Sequence, residues 1–223
     1  MTKRKTIPHK MDDGYFDLNI PYTTAIEKGK HPVTKRKTRI KLVTKLIELG
    51  YTGIAYNHSI KATAVSDSDS CSISLAPLSS ILTLSPNLFA SVKFHRDLLR
   101  VPLDTPFRQY TRLTVSVDSL IQAASLNSGN PVLKSYDLVA VKPLNQHVFD
   151  HVCKVAVVDL IAIDFSEKLP FRLNLPIVKA AMKRGIYFEI TYSHLVADVQ
   201  TRRQMILNAK VREFTSCYKG LSD

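Results

Sequence analysis

The chain has 223 residues, 45% of them hydrophobic and 22% charged, a balance that suits one packed domain and excludes general disorder. Lys and Arg number 31 against 19 Asp and Glu, giving a net charge of +12 and a pI of about 9.6, so a polyanionic partner is the leading expectation. No stretch approaches the roughly 18 apolar residues of a membrane span, and Met1 to Lys10 lacks the apolar heart of a signal peptide. Cys71, Cys153 and Cys217 are far apart and show no C-x-x-C spacing, which argues for a reducing compartment and against a zinc site or a disulfide framework. Lys3-Arg4-Lys5 and Lys35-Arg36-Lys37 can be read as nuclear import signals or as solvated basic surface.

In chain order, Tyr15 to Pro21 is the first strand candidate. Thr34 to Leu49 follows as a helix, with Ile40, Val43, Leu46 and Ile47 on one side, a basic face on the other and Gly50 as its stop. Thr52 to His58 reads as the second strand. Ser59 to Tyr110, with its Ser-rich start, is too long for a simple crossover and reads as a flexible insertion with a little helix near Pro86 to Phe94. Short β-rich runs then recur at Arg112 to Asp118, Asp137 to Pro143, Asp159 to Phe165 and Ile186 to Tyr192. Helical segments separate them: a weak one near Ser119 to Ser125, then Asn145 to Val155, then Leu175 to Arg184 closed by Gly185. Thr201 to Glu213 is a last helix. The alternation predicts an α/β fold with a parallel sheet covered by helices, either a doubly wound sheet or a barrel. The expected layout is a basic tail at 1–14, one barrel-type domain at 15–214 with the insertion at about 59–110, and an atypical tail at 215–223.

In such folds the working residues gather at the C-terminal ends of the strands. Those ends carry Asp17 and Asn19, Asn57 and His58, Asp118, Lys142, Asp164 with Ser166, and Glu189 with Tyr192 and His194. Asp, His and Glu on one rim could hold divalent metals for phosphoester cleavage, but Asn is a poor ligand and a lone strand-end His is more often structural. His147 and His151 stand four apart without the glutamate of an H-E-x-x-H site. G-x-G-x-x-G, G-x-x-x-x-G-K-[ST] and G-x-S-x-G are all missing, and seven glycines leave little material for phosphate-cradling loops. No cofactor is expected. The candidate RNA contacts are Arg108, Arg112, Lys142, Lys168 and Arg172, with Lys179, Lys183 and Arg184 on the following helix and Phe171, Tyr110 or Tyr192 as stacking surfaces.

The stretch Asp137 to Ser193, with D-L-V-A-V-K-P, V-D-L-I-A-I-D-F-S-E-K-L-P-F and K-A-A-M-K-R-G-I-Y-F-E-I-T-Y-S in order, resembles the thirty-kilodalton protein subunit family of ribonuclease P and ribonuclease MRP. Phe16 to Pro21 and Leu49 to Asn57 match it too. The resemblance implies a TIM-like barrel related to the polymerase and histidinol phosphatase superfamily, acting as a noncatalytic RNA-binding subunit. Implied partners are the catalytic RNA component, precursor tRNA or rRNA and a small α/β ribonuclease P protein subunit, with no membrane; the implied location is the nucleus, with the nucleolus as the finer expectation. Metal-dependent cousins carry H-x-H on strand one, where this chain has Asp17-Leu18-Asn19, so Asp17, Asn19 and His58 read as degenerate metal-site positions with neither catalytic nor metal-binding roles. The implied barrel has eight strands and this chain supplies about six. The alternatives are a metal-dependent phosphoesterase of the related superfamily and a truncated, nonfunctional isoform.

Overall fold

A computed structural model describes residues 14–22, 32–61, 65–85, 87–127, 129–166, 168–190 and 198–209. Six strands are described: β1 (Phe16–Pro21), β2 (Gly53–Lys61), β3 (Arg108–Val117), β4 (Leu138–Pro143), β5 (Leu160–Ile163) and β6 (Tyr187–Ile190). The eight helices among these residues are α1 (Pro32–Glu48), α2 (Leu78–Leu84), α3 (Leu88–Leu99), α4 (Leu120–Ala124), α5 (Pro131–Lys134), α6 (Gln146–Val155), α7 (Leu175–Lys183) and α8 (Val199–Ala209).

The strands form one sheet in chain order, β1-β2-β3-β4-β5-β6, and the pairs β1–β2, β4–β5 and β5–β6 are parallel. A doubly wound sheet would reverse its order at a switch point, whereas unbroken succession is the topology of a TIM-like (β/α) fold. Both faces of the inner strands are covered. β5 is buried at every residue and β3 is buried continuously from Tyr110 to Val115, which is why these strands read as apolar runs without polar alternation.

By their internal contacts the residues fall into two compact units, one of Met1–Ser59, Ser70–Leu113 and Lys134–Leu138, the other of Ile60–Asp69, Thr114–Leu133 and Val139–Asp223. In the first unit, Ile20, Tyr22, Val43, Ile47, Ile54, Tyr56 and Ile81 make the main core. Helix α1 contributes its apolar stripe to that core and ends where Gly50 (φ 89°) lets the Gly50 and Tyr51 amides bond back to the Ile47 and Leu46 carbonyls. In the second unit α6 packs on α7 and on α4, and burial of Val148, Phe149, Val152 and Cys153 fixes the inward face of α6. Helix α7 ends by the same double bond, with Gly185 (φ 82°) and Ile186 returning to Met182 and Ala181.

The stretch read as a flexible insertion differs from that expectation. It holds a short 3₁₀ turn at Asp67–Asp69, helix α2, and an α3 that runs to Leu99. Two long-range devices hold it. The Gln109 side chain bonds Ala76 as a strand neighbour would, donating to the Ala76 carbonyl at 2.9 Å and accepting its amide at 3.0 Å. Arg96, only 4% exposed, donates through Nη1 to the carbonyls of Pro102, Leu103 and Thr105, tying the end of α3 to the loop before β3. Strand β3 also begins four residues earlier than the sequence indicated, at Arg108.

Candidate functional site

In the first unit the polar residues expected at strand ends are engaged with the protein itself, and Asp17 stands at the start of β1 while Asn57 and His58 lie part-way along β2. Asp17 Oδ1 accepts the Asn19 amide at 3.0 Å, Asn19 Oδ1 accepts the Asn57 side-chain amide at 2.6 Å, and His58 Nδ1 lies 2.9 Å from the Tyr136 hydroxyl. Among the described residues no three of His, Cys, Asp and Glu come together in a metal-holding group. Asp17, Asn19 and His58 each have a protein partner, and the asparagine is a poor ligand for a transition metal beside His or a carboxylate.

Arg112 was expected to face RNA. It is 1% exposed, and its Nη1 donates to the Leu18 carbonyl at 2.7 Å. A cation so enclosed is a structural tie. Arg108, at the start of β3, is exposed. Tyr110 and Phe171, expected as stacking surfaces, are 6% and 7% exposed and belong to the interior; Tyr192 and His194 lie outside the described residues. Asp118 is exposed, Glu189 is half-buried, and on α6 His147 is exposed while His151 is half-buried.

In the second unit Lys142 and Asp164 form an ion pair at 3.0 Å between the ends of β4 and β5. Asp164 Oδ1 also accepts the amide and hydroxyl of Ser166. Partial burial alone would raise the Asp164 pKa, but the Ser166 hydroxyl, then Lys142 and the Ser166 amide, bring it down to about 2. Lys142 therefore sits at the strand ends with its charge already balanced.

The loop from β5 to α7 is built to project its cations. Phe171 and Leu173 are buried, and the Phe171 ring stacks on Phe149 of α6 at 4.5 Å and 11°. Arg172, between them, is exposed. Its backbone is clamped from both sides by Gln146, whose Oε1 accepts the Arg172 amide at 2.7 Å and whose Nε2 donates to the Arg172 carbonyl at 3.3 Å. Alternation along this extended segment thus turns the guanidinium outward. Gln146 is a positioning residue with no local signature, since the clamp spans 26 positions. Lys168 in the same loop, and Lys179 and Lys183 four apart on α7, are exposed as well. Arg184 is diverted: it donates to the carbonyls of Cys153, at 2.8 Å, and Ala156, capping the end of α6. From Lys168 to Phe188 the sequence contains Lys168, Arg172, Lys179, Lys183 and Arg184 and no Asp or Glu. Lys168, Arg172, Lys179 and Lys183 thus present positive charge outward.

The model of the family described as RNase P subunit p30 matches residues 14–215. The chain belongs to that family. It is 59% identical over 199 residues to Protein GAMETOPHYTE DEFECTIVE 1 of Arabidopsis thaliana, covering 89% of this chain and 34% of that protein. The probable ribonuclease P protein subunit 3 of Schizosaccharomyces pombe is 27% identical, covering 87% of this chain and 68% of that one. Ribonuclease P protein subunit p30 of Mus musculus is 36% identical over 104 residues, 47% of this chain and 39% of that protein. The chain thus spans about a third of the length of the Arabidopsis relative. The matched region takes in all six strands, so the p30 family resemblance and the consecutive strand order describe the same part of the molecule.

Proposed function

We propose that this chain is a noncatalytic, RNA-binding subunit of ribonuclease P or ribonuclease MRP, supporting maturation of precursor tRNA, precursor rRNA or both. The observation that carries the reading is the acid-free run from Lys168 to Phe188, whose loop aims Arg172 outward and whose Lys168, Lys179 and Lys183 are exposed. Membership of the p30 family supports it. Lys168, Arg172 and Arg108 are the phosphate contacts in this reading; Lys142 contributes a charge shared with Asp164, and Arg112 serves the fold. The partners are the RNA component, its precursor substrates and a small α/β protein subunit, and the location is the nucleus and its nucleolus.

The test is the salt dependence of binding. Phosphate contacts release counterions, so affinity for a structured RNA should fall steeply between about 50 and 200 mM salt. An affinity indifferent to salt would overturn the reading. Pull-down of the tagged chain from its own cells, with sequencing of the bound RNA, separates the two particles.

A further inference from the structure

Helix α1 places charge against its own preferences. It contains Lys35, Arg36, Lys37, Arg39, Lys41 and Lys45 with a single acid, Glu48, at its far end, and no acidic residue in its first turn. Cations near a helix N-terminus oppose the macrodipole, and like charges four residues apart repel. Arg39 has an internal role, its guanidinium lying 4.6 Å from the Tyr22 ring centroid. Lys45 pairs with Glu48 at 3.1 Å. Arg36, Lys37 and Lys41 are exposed, and no ion pair is described for any of them. Lys37, Lys41 and Lys45 follow one another at four-residue spacing, along one side of the helix. For Arg36, Lys37 and Lys41, local rules broken without a compensating contact among the described residues mark a surface shaped by a partner.

We infer that Lys37 and Lys41, with Arg36 beside them and the Glu48-paired Lys45 at the end of the row, form a second RNA contact surface that grips the phosphate backbone of helical RNA. Helix α1 contains no Phe, Tyr or Trp, so it offers no platform on which unpaired bases could stack. A cation row without aromatics suits paired RNA, whose bases are turned inward and whose phosphates line the outside. The inference rests on the RNA-binding reading above and assigns that function to residues the 168–188 segment does not include.

The experiment uses the full chain with Lys37→Gln/Lys41→Gln, and Lys37→Arg/Lys41→Arg as its charge-retaining control. Each is titrated with an RNA hairpin and with a single-stranded RNA of equal length, across a range of salt. Loss of two phosphate contacts should make the slope of log affinity against log salt shallower by about 1.4 to 1.8 and weaken hairpin binding at low salt by about tenfold. The arginine pair should bind as the natural chain does, and the thermal midpoint of the glutamine pair should be unchanged or higher, because repulsion has been relieved. A glutamine pair that binds the hairpin with unaltered affinity and slope overturns the assignment, as does a lowered thermal midpoint that accounts for the loss. Nuclear accumulation lost while hairpin affinity stays the same gives the row to import and overturns it too. A natural chain that binds neither RNA at any salt refutes the RNA reading itself, which separates that failure from this one.

Discussion

Two sets of cations in this molecule have the same chemistry and opposite employment. Arg96 and Arg112 are enclosed and bond backbone carbonyls, Arg96 drawing a loop to the end of α3 and Arg112 reaching the Leu18 carbonyl. Lys168, Arg172, Lys179 and Lys183 are exposed, and no acid lies between Lys168 and Phe188 in the sequence. An enclosed guanidinium needs its acceptors because an unsatisfied buried charge is costly, whereas an exposed one gains little from the fold and is free for a polyanion. Net charge alone does not measure binding surface: part of the +12 is internal reinforcement.

The largest expected break in this contrast is Arg112→Ala. It leaves the Leu18 carbonyl without this donor and opens a void, and we expect a loss of about 3 kcal/mol, a fall of about 6–12 °C in thermal midpoint. Arg112→Met, which keeps volume without charge, should recover part of it. If Arg112→Ala melts like the natural chain and loses only RNA affinity, Arg112 belongs with the outward set.

Arg184→Ala comes next. The side chain caps the α6 carbonyls from an exposed position, so its removal should cost about 1–2 kcal/mol, read as an earlier midpoint in urea with the denaturant slope unchanged. RNA affinity of the folded protein should hold. A selective loss of RNA binding would instead place Arg184 with Lys179 and Lys183.

For the outward set, Lys168→Ala/Arg172→Ala should leave the unfolding free energy within about 0.5 kcal/mol of the natural value and reduce the salt slope of RNA binding by about 1.4 to 1.8. Gln146→Ala sharpens the point. It keeps both cations and removes the clamp on the Arg172 backbone, so weaker binding with an unchanged salt slope would show that position matters apart from charge.

The legible parts of the sequence were those with a local period. The stripe of Ile40, Val43, Leu46 and Ile47 and the stops at Gly50 and Gly185 appear in the structure where the pattern put them, because helix phase and a left-handed glycine are settled within a few residues. The ties made by Gln109 and Arg96 were not legible, since a side chain that satisfies distant backbone carries no periodic mark. Arg112 misled for a related reason: a strand buried on both faces lacks the polar alternation that would tell inward from outward. Lys168 and Arg172 were singled out as candidates by charge alone, but the clamp that projects Arg172 became visible only once Gln146 and Arg172 were brought together.

The smallest expected effect concerns the Lys142–Asp164 pair at the ends of β4 and β5. Asp164 has its pKa lowered from 3.8 to about 2, so the folded state holds its proton less tightly than the unfolded state does. The stabilisation is therefore fully present above the unfolded value near pH 4 and is lost as pH falls through about 2. Nominally the shift is worth about 2 kcal/mol, but both side chains are about a third exposed, and screening leaves about 1 kcal/mol or less. Asp164→Asn keeps an oxygen for Ser166 and loses only the charge opposite Lys142. It should be slightly less stable than the natural chain at neutral pH, and the two melting curves should converge as pH drops from 4 toward 2. Freed of its counter-charge, Lys142 should also strengthen RNA binding modestly and steepen its salt dependence; if affinity falls instead, the Lys142–Asp164 pair acts as a unit in holding the strand-end loops for RNA.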